Sequence, residues 1–139
     1  MPRHASLAAP LDHGKRHADA DADADATQVL AKATLRAASL LGLSGRELAE
    51  VIGSSESTVS RMAAGMRALA PRSKPGQLAA LLIRVYRSLD ALVGNDAQAR
   101  LRWMRSYNDA LGTTPLQALR SPEGLVRVLT YLDGARALA

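Results

Sequence analysis

Residues 43–65 read Leu-Ser-Gly-Arg-Glu-Leu-Ala-Glu-Val-Ile-Gly-Ser-Ser-Glu-Ser-Thr-Val-Ser-Arg-Met-Ala-Ala-Gly, and this stretch decides the fold. Ser44 and Glu47 stand three apart ahead of an apolar run, which is the spacing of a capping box, so a helix starts at about Gly45. Leu48, Val51 and Ile52 recur at helical spacing and give that helix one apolar face. Ala49 is small where a second helix must cross closely. Gly53 supplies a permissive backbone for a tight turn. Ser55 caps a second short helix, with Val59 and Met62 directed inward. Its outer face carries Glu56, Ser57, Thr58, Ser60 and Arg61: short donors and acceptors plus one long cation. Two helices about a glycine turn, the second polar outside, make a helix-turn-helix arrangement. A plain helical hairpin shares the same signals.

The totals agree with helices. The 139 residues contain no Phe, one Trp and three Tyr, so Leu, Ala, Val and Met must build the core. Few β-branched residues and no apolar alternation point to an all-α chain. There is no cysteine, which excludes disulfides and thiolate metal sites and suits the cytoplasm. No segment has the length and purity of a membrane span or signal peptide. The formal net charge is +5, and it is unevenly placed. The first 26 residues hold three Lys/Arg and five Asp, which leaves fifteen Lys/Arg against eight Asp/Glu from Thr27 onward. A basic body suits a polyanion partner, although solubility alone is an alternative reason for it.

Leu48-Ala49, Gly53 and Ser57-Thr58-Val59-Ser60 resemble the Xre/Cro-like repressor family, over about a sixth of the chain. The resemblance implies DNA binding with the second helix in a major groove. Ser57, Thr58 and Arg61 are then nearest the bases, and Glu56 is placed to accept from a cytosine amine. Ser55 and Ser60 share that outer face. Ser44 and Arg46 are expected at phosphate, joined by Arg67 from the following loop.

Outward from this unit, residues 1–26 read as a disordered tail. The run Asp19-Ala-Asp-Ala-Asp-Ala-Asp25 consists of poor strand formers and repelling charges, with too little apolar surface to offset ordering. His13 and His17 stand four apart but lack helical support, so no metal site is assigned. Thr27–Leu41 reads as a helix capped by Thr27, with Leu30, Ala33, Thr34, Ala37, Leu40 and Leu41 inward and Gly42 as its stop. Residues 27–74 would thus form the helix-turn-helix domain. They close with a loop, Met66 to Lys74, that carries Arg67, Arg72 and Lys74. Such a loop either tracks a phosphate backbone or is a solvated connector.

Residues 75–139 read as a second small helical unit. Pro75–Val93 carries Leu78, Leu81, Leu82, Val85, Leu89 and Leu92 on one broad stripe, with Arg84 and Arg87 outside it. Asn95 and Gln98 signal the cap of a helix running to Leu111, with Arg100, Arg102 and Arg105 on its wet side. Thr114-Pro115-Leu116-Gln117 starts a short helix to Arg120. Ser121-Pro122-Glu123 starts the last one, which carries Leu125, Val128, Leu129 and Leu132 to about Asp133. Gly134 then releases a short apolar tail, Ala135-Arg136-Ala137-Leu138-Ala139.

Trp103, Asn108, Leu111-Gly112, Pro115, Leu119, Ser121-Pro122, Gly124, Val128, Leu132 and Gly134 form an ordered set. That set resembles the toxin-binding domain shared by the Xre, MbcA and ParS antitoxins, over roughly the last 60 residues. Taken with the front half, the chain resembles the Xre antitoxin of RES–Xre toxin–antitoxin pairs. The resemblance implies a dimer that represses its own operon. It also implies a RES-domain toxin partner that consumes NAD⁺, whose pocket the antitoxin's carboxyl-terminal region blocks. Toxin contact is expected at Leu116, Arg120, Arg127 and Tyr131, and at Ala135, Arg136, Leu138 and Ala139 in the tail. The tail is either a plug for that pocket or a frayed terminus.

Catalysis has little support. All three His lie in the tail, carboxylates are not paired on an inner face, and no phosphate loop is present. No cofactor, metal or membrane partner is expected. A stand-alone dimeric repressor without a toxin is the competing reading.

Overall fold

A computed structural model describes residues 13–138. Expectations for residues 1–12 and for Ala139 lie outside the described residues. The chain folds into helices α1 (His13–Leu40), α2 (Gly45–Ile52), α3 (Glu56–Ala63), α4 (Lys74–Val93), α5 (Ala97–Arg105), α6 (Pro115–Ala118) and α7 (Pro122–Leu138). Among the described residues there is no strand, and a lone bridge joins Asn108 to Thr113.

α4 is the axis of the packing. It lies against α1 and α2 on the front side and against α7 and α5 on the back. Ala79, Leu82, Val85 and Leu89 along it are fully buried. Leu41, Leu48, Ile52, Val59 and Met62 close over them from the front, and Met104, Leu119, Leu125, Val128 and Leu132 from the back. The two halves therefore share one apolar cluster, in which each large side chain contributes about 1.5–3 kcal/mol of burial. The connector after α3 is anchored in it by Leu69, which is buried, and whose N–H donates to the carbonyl of Thr27.

α4 and α7 begin with the same device. Ala70-Pro-Arg-Ser73-Lys-Pro-Gly76 and Ala118-Leu-Arg-Ser121-Pro-Glu-Gly124 share Ala, Arg, Ser and Gly at equal spacing. In each, the Ser hydroxyl accepts from the Gly N–H three residues on, at 3.0 Å (Gly76) and 3.1 Å (Gly124). In each, the glycine backbone sits on the carbonyl of the alanine six residues earlier. A Cβ built on Gly76 would fall 2.0 Å from the oxygen of Ala70, and one on Gly124 would fall 1.9 Å from that of Ala118. Only glycine fits this close approach.

The structure corrects several expectations. The helix expected from Thr27 starts at His13, so residues 13–26, read as disordered, are its first turns. Ala is the strongest helix former. A period-two alternation spreads Asp around a helix, so no apolar face forms, and every residue from Gly14 to Ala26 is exposed. Thr27 is no cap; its hydroxyl donates to the carbonyl of Ala24 within the helix. Asn95 does not cap α5, because it is left-handed at φ 65°, and Asp96 in extended conformation accepts from the Ala99 N–H instead. α5 stops at Arg105 rather than Leu111. The Asn108 side chain accepts from the N–H groups of Ala110 and Leu111, offering the backbone a local alternative to the helix. Gly134 does not end the last helix, which continues to Leu138.

Candidate nucleic-acid interface and partner face

α2 and α3 are set by their caps. The Ser44 hydroxyl accepts from the Glu47 N–H while the Glu47 carboxylate accepts from the Ser44 N–H, so the capping box forms as the sequence predicts. Gly53 closes α2 in the left-handed region at φ 66°. Ser55 caps α3 by accepting from the Thr58 N–H at 3.1 Å. Val59 and Met62 are buried, so the opposite side of α3 faces outward.

That side carries the residues expected to read DNA. Ser55, Glu56, Ser57, Ser60 and Arg61 are exposed, and Thr58 is half-buried. They are linked locally: Ser55 donates to the Thr58 hydroxyl at 2.8 Å, and the Arg61 guanidinium reaches that same hydroxyl at 3.4 Å. Ser44 and Arg46 are exposed at the start of α2, and Arg67 is exposed in the loop after α3. Arg46 also stands 3.8 Å from the Glu50 carboxylate one turn along. A polar convex helix with a cation at its end, flanked by exposed donors, matches the dimensions and chemistry of a major groove.

The residues expected to touch a toxin are scattered. Leu116 is buried in the core and presents no face to a partner. Its position two residues after the Thr114 cap directs it inward. Arg127 donates to the Leu111 carbonyl at 2.9 Å and fastens the loop before α6 onto α7. Tyr131 is 37% exposed and stacks on Trp103 of α5, with ring centroids 6.2 Å apart. Tyr107 stands nearby in sequence and is exposed. Trp103 and Tyr107 were not among the expected contacts, although it was visible in the sequence that all four aromatic residues fall in the back half.

The tail is not free. Ala135 is half-buried, and Arg136 donates to the Ser88 hydroxyl at 3.1 Å, which in turn donates to Asp133 at 3.0 Å. These bonds hold the last turn of α7 against α4. Leu138 ends it, 91% exposed.

Arginines of the back half reach into the front half. Arg100, expected on the wet side, is 6% exposed. It donates to the Leu40 carbonyl at the end of α1 and to Asp90 of α4, and its guanidinium lies over the Tyr86 ring. Its charge is matched by Asp90 and by the carbonyl-rich helix end. Arg105 donates to the Gly42 carbonyl at 2.7 Å. Arg120, expected at a toxin, pairs with α2: its Nε is 3.0 Å from the Glu50 carboxylate and its Nη2 is 3.8 Å from that of Glu47. Arg105 is 3.9 Å from Glu47 as well. The Glu47 pKa is held below the ordinary glutamate value. The bond accepted from the Ser44 backbone is the main cause, the Ser44 hydroxyl and the two arginines add to it, and partial burial opposes it.

Among the described residues no group of three or more His, Asp or Glu is placed to hold a metal ion, and no helix is long and apolar enough to cross a membrane.

Two family models match the chain, one after the other. The Antitoxin Xre-like helix-turn-helix domain covers residues 21–84, and the Antitoxin Xre/MbcA/ParS C-terminal toxin-binding domain covers residues 88–137. They meet inside α4, the helix that both halves pack against. No curated protein matches the chain.

Proposed function

From the premise that the chain is an antitoxin of the Xre family, we propose that it neutralises a RES-domain toxin that consumes NAD⁺. It does so by binding the toxin and covering its active site, and it represses its own operon through α2 and α3. The observation that carries the reading is the succession of the two domains on one core: an outward polar α3 in front, and a toxin-binding half behind.

In this reading the protein works in the cytoplasm without a cofactor and catalyses nothing itself. One helix-turn-helix unit makes too few base contacts for tight specific binding, so it acts as a homodimer on a palindromic site. Sedimentation of the full chain at micromolar concentration should give a dimer, and a monomer there would remove that part.

The blocking element is the end of α7. It is a helix rather than a loose tail, and its tip presents the exposed Leu138, while Arg136, two residues before it, is turned to Ser88 of α4. Arg127 and Tyr131 lie on the same helix and extend the contact. The test is NAD⁺ loss by a purified complex of this chain with the protein of the adjoining reading frame. Full-length chain should suppress it, and deletion of residues 135–139 should release it while the complex stays assembled. Complete suppression by the truncated chain would move the blocking role to the body of the domain. An adjoining protein that consumes no NAD⁺ would remove the RES assignment.

A further inference from the structure

α2 carries two carboxylates, Glu47 and Glu50, on the helix that a helix-turn-helix lays across the DNA backbone. Beside phosphate they have the wrong sign. Each is met by an arginine that comes from the toxin-binding half. Arg120 sits 3.0 Å from Glu50 and 3.8 Å from Glu47, and Arg105 sits 3.9 Å from Glu47. Arg46, the α2 cation best placed for phosphate, is itself 3.8 Å from Glu50. Glu50 therefore has two cations to choose from, one on its own helix and one from across the domain boundary.

We infer that Arg120, supported by Arg105, is a positioning residue for DNA binding. It offsets the charge of Glu47 and Glu50 and binds Glu50 at 3.0 Å against 3.8 Å for Arg46, so that α2 can lie against phosphate with the hold of Glu50 on Arg46 weakened. The inference rests on the repressor reading above. It moves Arg120 from the toxin face to the DNA-binding machinery. It also makes the carboxyl-terminal half a contributor to operator affinity, though it touches no DNA. Of the two carboxylates Glu47 is the more covered, 17% exposed beside Arg120 and Arg105, whereas Glu50 is 40% exposed and meets Arg120 at the surface.

An unpaired carboxylate about 8 Å from a phosphate weakens binding by a factor of roughly two in a water-like dielectric. Arg120→Ala removes one positive charge while Arg46 and Arg105 stay beside Glu50 and Glu47, so the expected loss is about twofold per bound chain. The loss is electrostatic, so it shrinks as the Debye length falls with added salt. A role confined to holding the fold would give a loss that salt does not change.

The experiment uses the full chain and a fluorescein-labelled duplex of the DNA upstream of its own coding sequence. Anisotropy is followed from about 50 mM to about 300 mM KCl, a range over which the screening length shortens about twofold. Arg120→Ala should bind about twofold more weakly per chain at the low end, with a gap that closes toward the high end. Adding Glu47→Gln and Glu50→Gln to Arg120→Ala should restore binding to the wild-type level or above, since glutamine keeps the capping box and removes the two negative charges. Undiminished binding by Arg120→Ala, beside a wild type that binds, overturns the inference alone. So does a loss that is constant with salt and not rescued by the glutamines. A wild-type chain that fails to bind the duplex overturns the repressor reading itself.

Discussion

Alanine in place of Gly124 and alanine in place of Gly134 are the same chemical change on the same helix, and the structure assigns them opposite signs. Helix propensity alone favours Ala over Gly by about 1 kcal/mol at an interior position. At Gly134 nothing stands within 4 Å of the added Cβ and the backbone is helical, so that gain should appear undiminished. At Gly124 the Cβ would fall 1.9 Å from the Ala118 oxygen and 2.8 Å from its carbonyl carbon. Both obstacles are backbone, and relief needs a shift of more than about 1 Å between α6 and the first turn of α7. Overpacking of this kind costs about 3 kcal/mol, at the upper end of its usual range. The propensity gain offsets about 1 kcal/mol of it, leaving a net loss of about 2 kcal/mol. For a domain of this size that lowers Tm by about 7 °C, whereas Gly134→Ala should raise it by about 3 °C. Thermal and urea unfolding followed by circular dichroism measure both. Gly124→Ala as stable as wild type would refute the close approach of α7 to Ala118. A less stable Gly134→Ala would refute the continuation of α7 through that residue and restore it as a helix stop.

Three further outcomes are expected. Arg61→Ala should lose about 1–3 kcal/mol of operator binding, unequally across operator variants, if the guanidinium reads a base; an equal loss on all sequences in gel shifts would reassign it to the backbone. Arg100→Ala leaves Asp90 and the Leu40 carbonyl without their buried partner and should cost about 3–5 kcal/mol in urea unfolding; a loss under about 1 kcal/mol would show that water replaces the guanidinium. Because the Glu47 pKa is lowered in the folded protein, its contribution is fully present above the ordinary glutamate pKa of about 4.3 and is lost as the pH falls through the folded value; Glu47→Gln should therefore flatten the acid side of the stability profile, and a profile unchanged by the substitution would sink this assignment.

Local signals carried much of this molecule. The Ser44–Glu47 capping box, the Ser55, Thr114 and Ser121 starts, and the stops at Gly53 and Gly94 all depend on residues within four positions of one another, and each forms as its spacing requires. The apolar stripe of α4 and the inward Val59 and Met62 follow from period alone. Where the sequence misled, two local solutions were nearly equal. Asn95 and Asp96 both make good caps, and the left-handed backbone after Gly94 chose between them. Gly134 is a permissive residue that can stop a helix or continue one. The choice fell to packing of the last turn on α4 through Ser88 and Arg136. What the sequence could not contain was the destination of the arginines. Arg100 and Arg105 read as solvated cations and Arg120 as a toxin contact, because their partners lie 60, 63 and 70 residues away. Charge pairing across such separations has no periodicity. It is decided only when α4 brings the two halves onto one core, setting the Leu40 and Gly42 carbonyls and the carboxylates of α2 within reach of the helices that follow.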